Sequence, residues 1–176
     1  MFKNNLKNHI HIFKNFLEYE FCDSIVNFYK KTYEWSDANT FSSEQVRKCK
    51  VLNITESNEY FDNILFTKLN KLTIDLFKIY PYLEIKSDTG YEILKYEEGD
   101  FYKTHTDSSM NIVRTISCSI NLNDDYSGGE FYFTDLDYKI KLKKGSLLLF
   151  PSNYLYPHQI KKINKGTRYS IITWFV

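Results

Sequence analysis

The order of apolar and polar residues divides the chain into two textures. Up to about Tyr80 the period is helical: Phe21, Ile25, Val26, Phe28 and Tyr29 recur at three- and four-residue spacings, as do Phe61, Ile64, Leu65, Leu69, Leu72 and Leu76. This predicts two amphipathic helices, the second closed by Pro81. From Gly90 onward the texture changes to short runs that read as strands, at 91–96, 101–107, 113–121, 129–134, 138–142, 146–150, 156–160 and 168–176. The separators EEGD, SSMN, DDYSGG, KKG, PSN and NKG carry the Gly, Asn, Asp and Ser that turns require. Such a series of short antiparallel strands fits a double-stranded β-helix, the cupin-like jelly roll, with the amino-terminal helices packed on one sheet. The expected class is mainly β with helical support. We expect one domain over 1–176, with 1–86 as helical support and 87–176 as the jelly-roll core. Between the helices, Ser36 to Lys50 is polar and without period, and reads as a surface loop and a candidate flap over whatever the core binds.

Composition narrows the function classes. Aromatic residues make up 18%, with 15 Tyr and 14 Phe, which suits facing β-surfaces filled by flat side chains. Lys plus Arg number 23 against 22 for Asp plus Glu, so the net charge of +1 provides no general field for nucleic acid. Cys22, Cys49 and Cys118 are odd in number and form no CxxC pair, which favours a reducing, cytoplasmic compartment. The amino terminus MFKNNLKNHIHIF does not read as a signal peptide, and no apolar run approaches the roughly 18 residues of a membrane span.

His105 and Asp107 sit two apart in an expected strand, so both side chains project from one face. By itself that pattern equally describes a solvated strand end. His158 falls in the seventh strand, which in a jelly roll can lie beside the second. Two imidazoles and one carboxylate fill one face of an octahedron and leave three positions open, the arrangement of non-haem Fe(II) oxygenases rather than structural zinc. Strand alternation puts Arg168, Ser170, Ile172 and Trp174 on one face and Tyr169, Ile171, Thr173 and Phe175 on the other. Arg168 is either an exposed cation at a strand start or an inward one that needs an anion, for which a bound carboxylate is the natural partner, with Ser170 as a second donor. His9 and His11 alternate with Ile10 and Ile12 as on the outer face of an edge strand, not as a second metal site.

The stretches YEEGDFYKTHTD, RTISCSINLNDDYSGGEFYF and KKGSLLLFPSN, followed by His158 and, ten residues later, RYSIITW, resemble the 2-oxoglutarate- and Fe(II)-dependent dioxygenases, most of all their prolyl 4-hydroxylase branch. The amino-terminal stretch HIHIFKNFLEYEFCDSIV resembles the strand and helix before the core in that branch. The resemblance implies that His105, Asp107 and His158 ligate Fe(II) and that Arg168 receives the distal carboxylate of 2-oxoglutarate. It also implies Tyr96, Tyr102, Asn121, Ser170 and Trp174 around that co-substrate, structural roles for Asn123, Gly128 and Gly129, and O2 as second co-substrate with ascorbate as an accessory reductant. Asn121 stands where the branch usually has a tyrosine, and Arg168 where its collagen-modifying type commonly has a lysine. Arg47 matches an arginine near a loop that folds over a peptide, a candidate substrate contact alongside the plain reading of a solvated cation. The implied reaction is hydroxylation of a C–H bond, first of a prolyl residue in a peptide or protein, with release of succinate and CO2. A hydroxylase of a free amino acid or other small molecule and a non-catalytic jelly-roll binding protein are the alternatives. Trp174 occupies the place of the second arginine of the alkylation-repair group, and the expected protein is a monomer or weak homodimer with no nucleic-acid or membrane partner.

Overall fold

The computed structural model describes residues 3–32, 34–38 and 45–176. Its first half supplies β1 (His11–Phe13), α1 (Tyr19–Thr32), β2 (Ser36–Asp37), β3 (Arg47–Lys48), β4 (Lys50–Asn53), the short α2 (Ile54–Ser57) and α3 (Glu59–Ile79). The second half supplies β5 (Glu92–Tyr96), β6 (Phe101–His105), β7 (Ile116–Asn121), β8 (Ser127–Gly128), β9 (Phe131–Phe133) and β10 (Tyr138–Ile140). It ends with β11 (Leu147–Pro151), β12 (His158–Ile160), β13 (Ile163–Lys165) and β14 (Arg168–Phe175). A seven-stranded sheet in the order β1-β11-β7-β14-β5-β4-β2 faces a five-stranded sheet in the order β10-β9-β12-β6-β3, and β8 pairs with β13 apart from both. All named pairs are antiparallel, and the architecture is a double-stranded β-helix with amino-terminal helices.

Both long helices lie where the periodicity puts them. Asn58 caps α3 by accepting from the Phe61 amide at 3.0 Å, and Pro81, which has no amide hydrogen, follows its end. Cys22, Ile25, Val26 and Tyr29 of α1 and Phe61, Leu65, Leu69, Leu72 and Leu76 of α3 bury one face each against the seven-stranded sheet, meeting Tyr169, Ile171 and Phe175 of β14. A second core lies between the two sheets and contains Tyr96, Phe131, Phe133, Phe150 and Ile160. The last strand therefore faces helices with one set of side chains and the barrel interior with the other. Leu65 is fully buried in the helix-side core, so Leu65→Ala should destabilise the fold by about 2–5 kcal/mol. Urea unfolding followed by circular dichroism should show a lower midpoint at unchanged slope.

The polar stretch from Ser36 is not one loop. Ser36–Asp37 pairs with β4 at the edge of the larger sheet, and Arg47–Lys48 pairs with β6 at the edge of the smaller one. Unpaired strand edges accept short polar segments that carry no hydrophobic alternation, which is why periodicity missed them. Of the flap expected over Ser36 to Lys50, residues 39–44 lie outside the described residues, and both flanks of that segment are strands. The amino-terminal half thus lends strands to both sheets as well as helices to one face. Among the described residues no helix is long and apolar enough to cross a membrane.

Candidate metal centre

His105 ends β6 and His158 begins β12, and the two are directly opposed in the antiparallel ladder, so their side chains share one face. Asp107 follows two residues after His105. His105 Nε2 is 3.5 Å from one Asp107 carboxylate oxygen, His158 Nε2 is 3.7 Å from the other, and one donor atom from each residue lies within 4.8 Å of the rest. Among the described residues, no other group of three or more His, Cys, Asp or Glu side chains is so placed. The Nδ1 atoms of His105 and His158 meet the carbonyls of Lys103 and Tyr156 at 2.9 and 3.1 Å. A carbonyl can only accept, so each Nδ1 carries the hydrogen and each Nε2 keeps its lone pair for a metal.

The surroundings set the charge states. Burial acts to raise the Asp107 carboxyl, but the imidazoles of His158 and His105 and the Ser117 hydroxyl, which donates at 2.6 Å, outweigh it and hold the group well below the ordinary carboxylate range. His158 is enclosed by the rings of Phe131, Phe133 and Phe150, and burial pushes it down to about 4, so it is neutral near pH 7, as ligation requires. Tyr102 stacks flat on His105 with ring centroids 3.5 Å apart. Two imidazoles that each turn Nε2 toward the Asp107 carboxylate, oriented by outer hydrogen bonds and open to a cavity, fit Fe(II) with free coordination positions.

That cavity, about 340 Å³, runs between the sheets. Arg168, Ser170, Ile172 and Trp174 all line it, in the predicted alternation, and Tyr96, Tyr102 and Arg47 line it too. Arg168 is only 2% exposed and lies over the rings of Tyr96 and Phe131, each at 5.4 Å, while no carboxylate of the described residues pairs with it. On the same wall the buried hydroxyls of Ser170 and Ser119 have no hydrogen-bond partner. A buried unpaired guanidinium beside orphaned hydroxyls is costly unless an anion completes it, and a dicarboxylate co-substrate does so. Asn123 fixes this strand from outside the cavity, accepting from the Tyr169 amide and donating to the Thr167 carbonyl, both at 2.7 Å. Gly129, at φ +67°, packs so closely that a Cβ would lie 2.5 Å from Ile163 and 3.2 Å from the Arg168 stem. Gly129→Ala should therefore displace Arg168 and weaken 2-oxoglutarate binding by roughly tenfold or more in a calorimetric titration.

Asn121 departs from expectation. It is fully buried and does not line the cavity: its side-chain amide donates to the carbonyls of Asn123 and Leu142 at 2.6 and 3.2 Å and accepts from the Tyr126 hydroxyl at 3.1 Å. It sits at the end of β7, two residues past Ser119, where its polar atoms are taken up by neighbouring groups of the chain. His9 and His11 both reach the Tyr80 hydroxyl, at 3.1 and 2.7 Å, and are absent from the cavity wall. The sequence reading missed Ser117, Ser119 and Arg114. Serines alternating with Ile116, Cys118 and Ile120 in a wholly buried strand were the available signal for the first two. Arg114 lies 3.4 Å over the Trp174 ring and donates to the Asp107 carbonyl at 3.2 Å, and its rarity as one of only three arginines was its signal.

Comparison with known proteins agrees with this geometry. A family profile described as "2OG-Fe(II) oxygenase superfamily" matches residues 91–176. The chain is 29% identical over 151 residues to a PKHD-type hydroxylase of Idiomarina loihiensis, covering 82% of this chain and 63% of the relative. It is 40% identical over 67 residues to human prolyl 3-hydroxylase 2, covering 35% of this chain and 10% of that protein. The chain thus spans less than two thirds of the length of these curated relatives. Among solved structures, a prolyl hydroxylase of Trichoplax adhaerens in complex with a hypoxia inducible factor peptide fragment superposes with a TM-score of 0.80 at 23% identity, covering 99% of this chain and 87% of the other. A Pseudomonas putida prolyl-4-hydroxylase gives 0.78 at 19%, covering 98% and 95%. Residues 91–176 thus match the 2OG-Fe(II) oxygenase superfamily. The proteins that the chain resembles include several named prolyl hydroxylases.

Proposed function

We propose that the protein is an Fe(II)- and 2-oxoglutarate-dependent hydroxylase of prolyl residues in a peptide or protein. The observation that carries this reading is the convergence of His105, Asp107 and His158 on one cavity that also holds the unpaired Arg168. Names of relatives and neighbours, several of them prolyl hydroxylases, support the choice of substrate.

Ferrous iron with 2-oxoglutarate and O2 supplies oxidation of an unactivated C–H bond, with release of succinate and CO2. The chain's residues prepare for it. His105, His158 and Asp107 would hold the metal, with the backbone carbonyls of Lys103 and Tyr156 and the hydroxyl of Ser117 fixing their orientation. Arg168 and Ser170 would take the distal carboxylate of the co-substrate. Phe131, Phe133 and Phe150 exclude water behind His158, which strengthens each polar contact inside.

The test is aerobic incubation with Fe(II), 2-oxoglutarate and a set of proline-containing peptides, read by mass spectrometry. The reading predicts a gain of one oxygen on proline in step with succinate. Succinate formation coupled to a product other than hydroxyproline would reject the prolyl substrate, and no 2-oxoglutarate turnover with any substrate would reject the enzyme.

A further inference from the structure

All three arginines of the chain, Arg47, Arg114 and Arg168, line the one cavity described above, whereas among the described residues no lysine does. Arg168 is accounted for by the co-substrate. The other two come from opposite sides: Arg47 from β3 of the smaller sheet, Arg114 from the segment leading into β7 of the larger one. Each is held flat and by one edge. Arg47 lies over Tyr102 at 4.8 Å and donates from Nε to Cys49 Sγ at 3.1 Å. Arg114 lies over Trp174 and spends one terminal nitrogen on the Asp107 carbonyl, while its buried Nε has no partner. Neither forms an ion pair with a carboxylate of the described residues.

The charge count points the same way. The cavity wall carries three guanidiniums against the carboxylates of Glu92 and Asp107. A divalent metal and a dianionic co-substrate cancel, which leaves one positive charge in excess. Preoriented forks without an anion fit a planar carboxylate, which they can bind bidentately.

We infer that the substrate presents a carboxylate to Arg47 and Arg114, either the main-chain carboxylate of a free or terminal prolyl unit or the side chain of an acidic residue beside the proline. This rests on the hydroxylase reading and narrows its substrate class. Arg47 and Arg114 thereby determine specificity.

Because there are only three arginines, their Nε–H groups give three resolved signals in a nitrogen–proton correlation spectrum. The protein is loaded with Zn(II), which holds the metal position without oxidation, and titrated first with 2-oxoglutarate, which should move one signal, that of Arg168. N-acetyl-L-proline, its methylamide, and N-acetyl-prolyl-aspartate amide with its asparagine counterpart are then added in separate titrations. A carboxylate probe should move the other two signals and bind at least roughly tenfold tighter than its neutral partner. Response to N-acetyl-L-proline assigns the main-chain source, and response to the aspartate peptide alone assigns the acidic side chain. Arg47→Lys and Arg114→Lys assign the signals, and the wild-type pattern stands without them since Arg168 is identified by its own ligand. If Arg168 responds but the other two ignore both carboxylate probes, or move equally for the neutral ones, the carboxylate inference is overturned and the hydroxylase reading survives. If no arginine responds to 2-oxoglutarate, both fall.

Discussion

His105→Ala should abolish succinate production and lower Fe(II) affinity by more than the roughly 10–100-fold that loss of an outer-shell contact typically costs. His158→Ala should do the same. The argument is one of donor number: His105, Asp107 and His158 offer three ligand atoms within 4.8 Å, and no other such cluster exists among the described residues to replace a lost one. Ser117→Ala, which removes the 2.6 Å hydrogen bond to the Asp107 carboxylate and the 2.7 Å one shared with the Ser152 hydroxyl but no ligand atom, should fall within the 10–100-fold range. His9→Ala should leave both quantities unchanged, because His9 is engaged with Tyr80 and lies off the cavity wall. Equilibrium metal binding measured with Fe(II) under argon, beside succinate assays, separates these outcomes. Equal losses in all variants would refute the ligand assignment.

Arg168→Gln should have the second large effect, and of opposite sign in two measurements. In the ligand-free protein a buried guanidinium without a carboxylate partner is a burden, so its removal should leave the melting temperature unchanged or raise it. With 2-oxoglutarate present, loss of the charge-assisted fork should cost about 3 kcal/mol, roughly a hundredfold in affinity, and the stabilisation that 2-oxoglutarate gives the wild type should disappear. Arg168→Lys keeps the charge but not the fork and should fall between the two. A drop in ligand-free stability as large as the loss of binding would instead mark Arg168 as a structural residue.

Much of this was legible in the chain itself, for identifiable reasons. The eight strands expected after Gly90, where ten are observed, and the two long helices carry periods of two and of three to four that burial enforces, and each expected segment overlaps an observed element. The alternation along Arg168–Trp174 survives for the same reason: one face meets helices, the other the cavity. Short edge strands such as Ser36–Asp37, Arg47–Lys48 and Ile163–Lys165 were not legible, since two or three residues paired by backbone alone impose no side-chain pattern. Among site residues, the ligands were found through spacing and strand adjacency. Asn121 was misassigned because strand position gives the face of a side chain but not whether neighbours such as Tyr126 and Leu142 take up its polar atoms. Ser117 and Arg114 act through contacts to Asp107 that arise only when the loop after β6 folds back on β7.

The most direct test of the central claim is optical. Fe(II) and 2-oxoglutarate are added without oxygen to the folded protein, and the visible spectrum is recorded. Joint binding of metal and co-substrate predicts a weak charge-transfer band in the wild type that His105→Ala lacks at any concentration and that Arg168→Gln recovers only at much higher 2-oxoglutarate. A folded wild-type protein that shows no band at saturating Fe(II) and 2-oxoglutarate would contradict it.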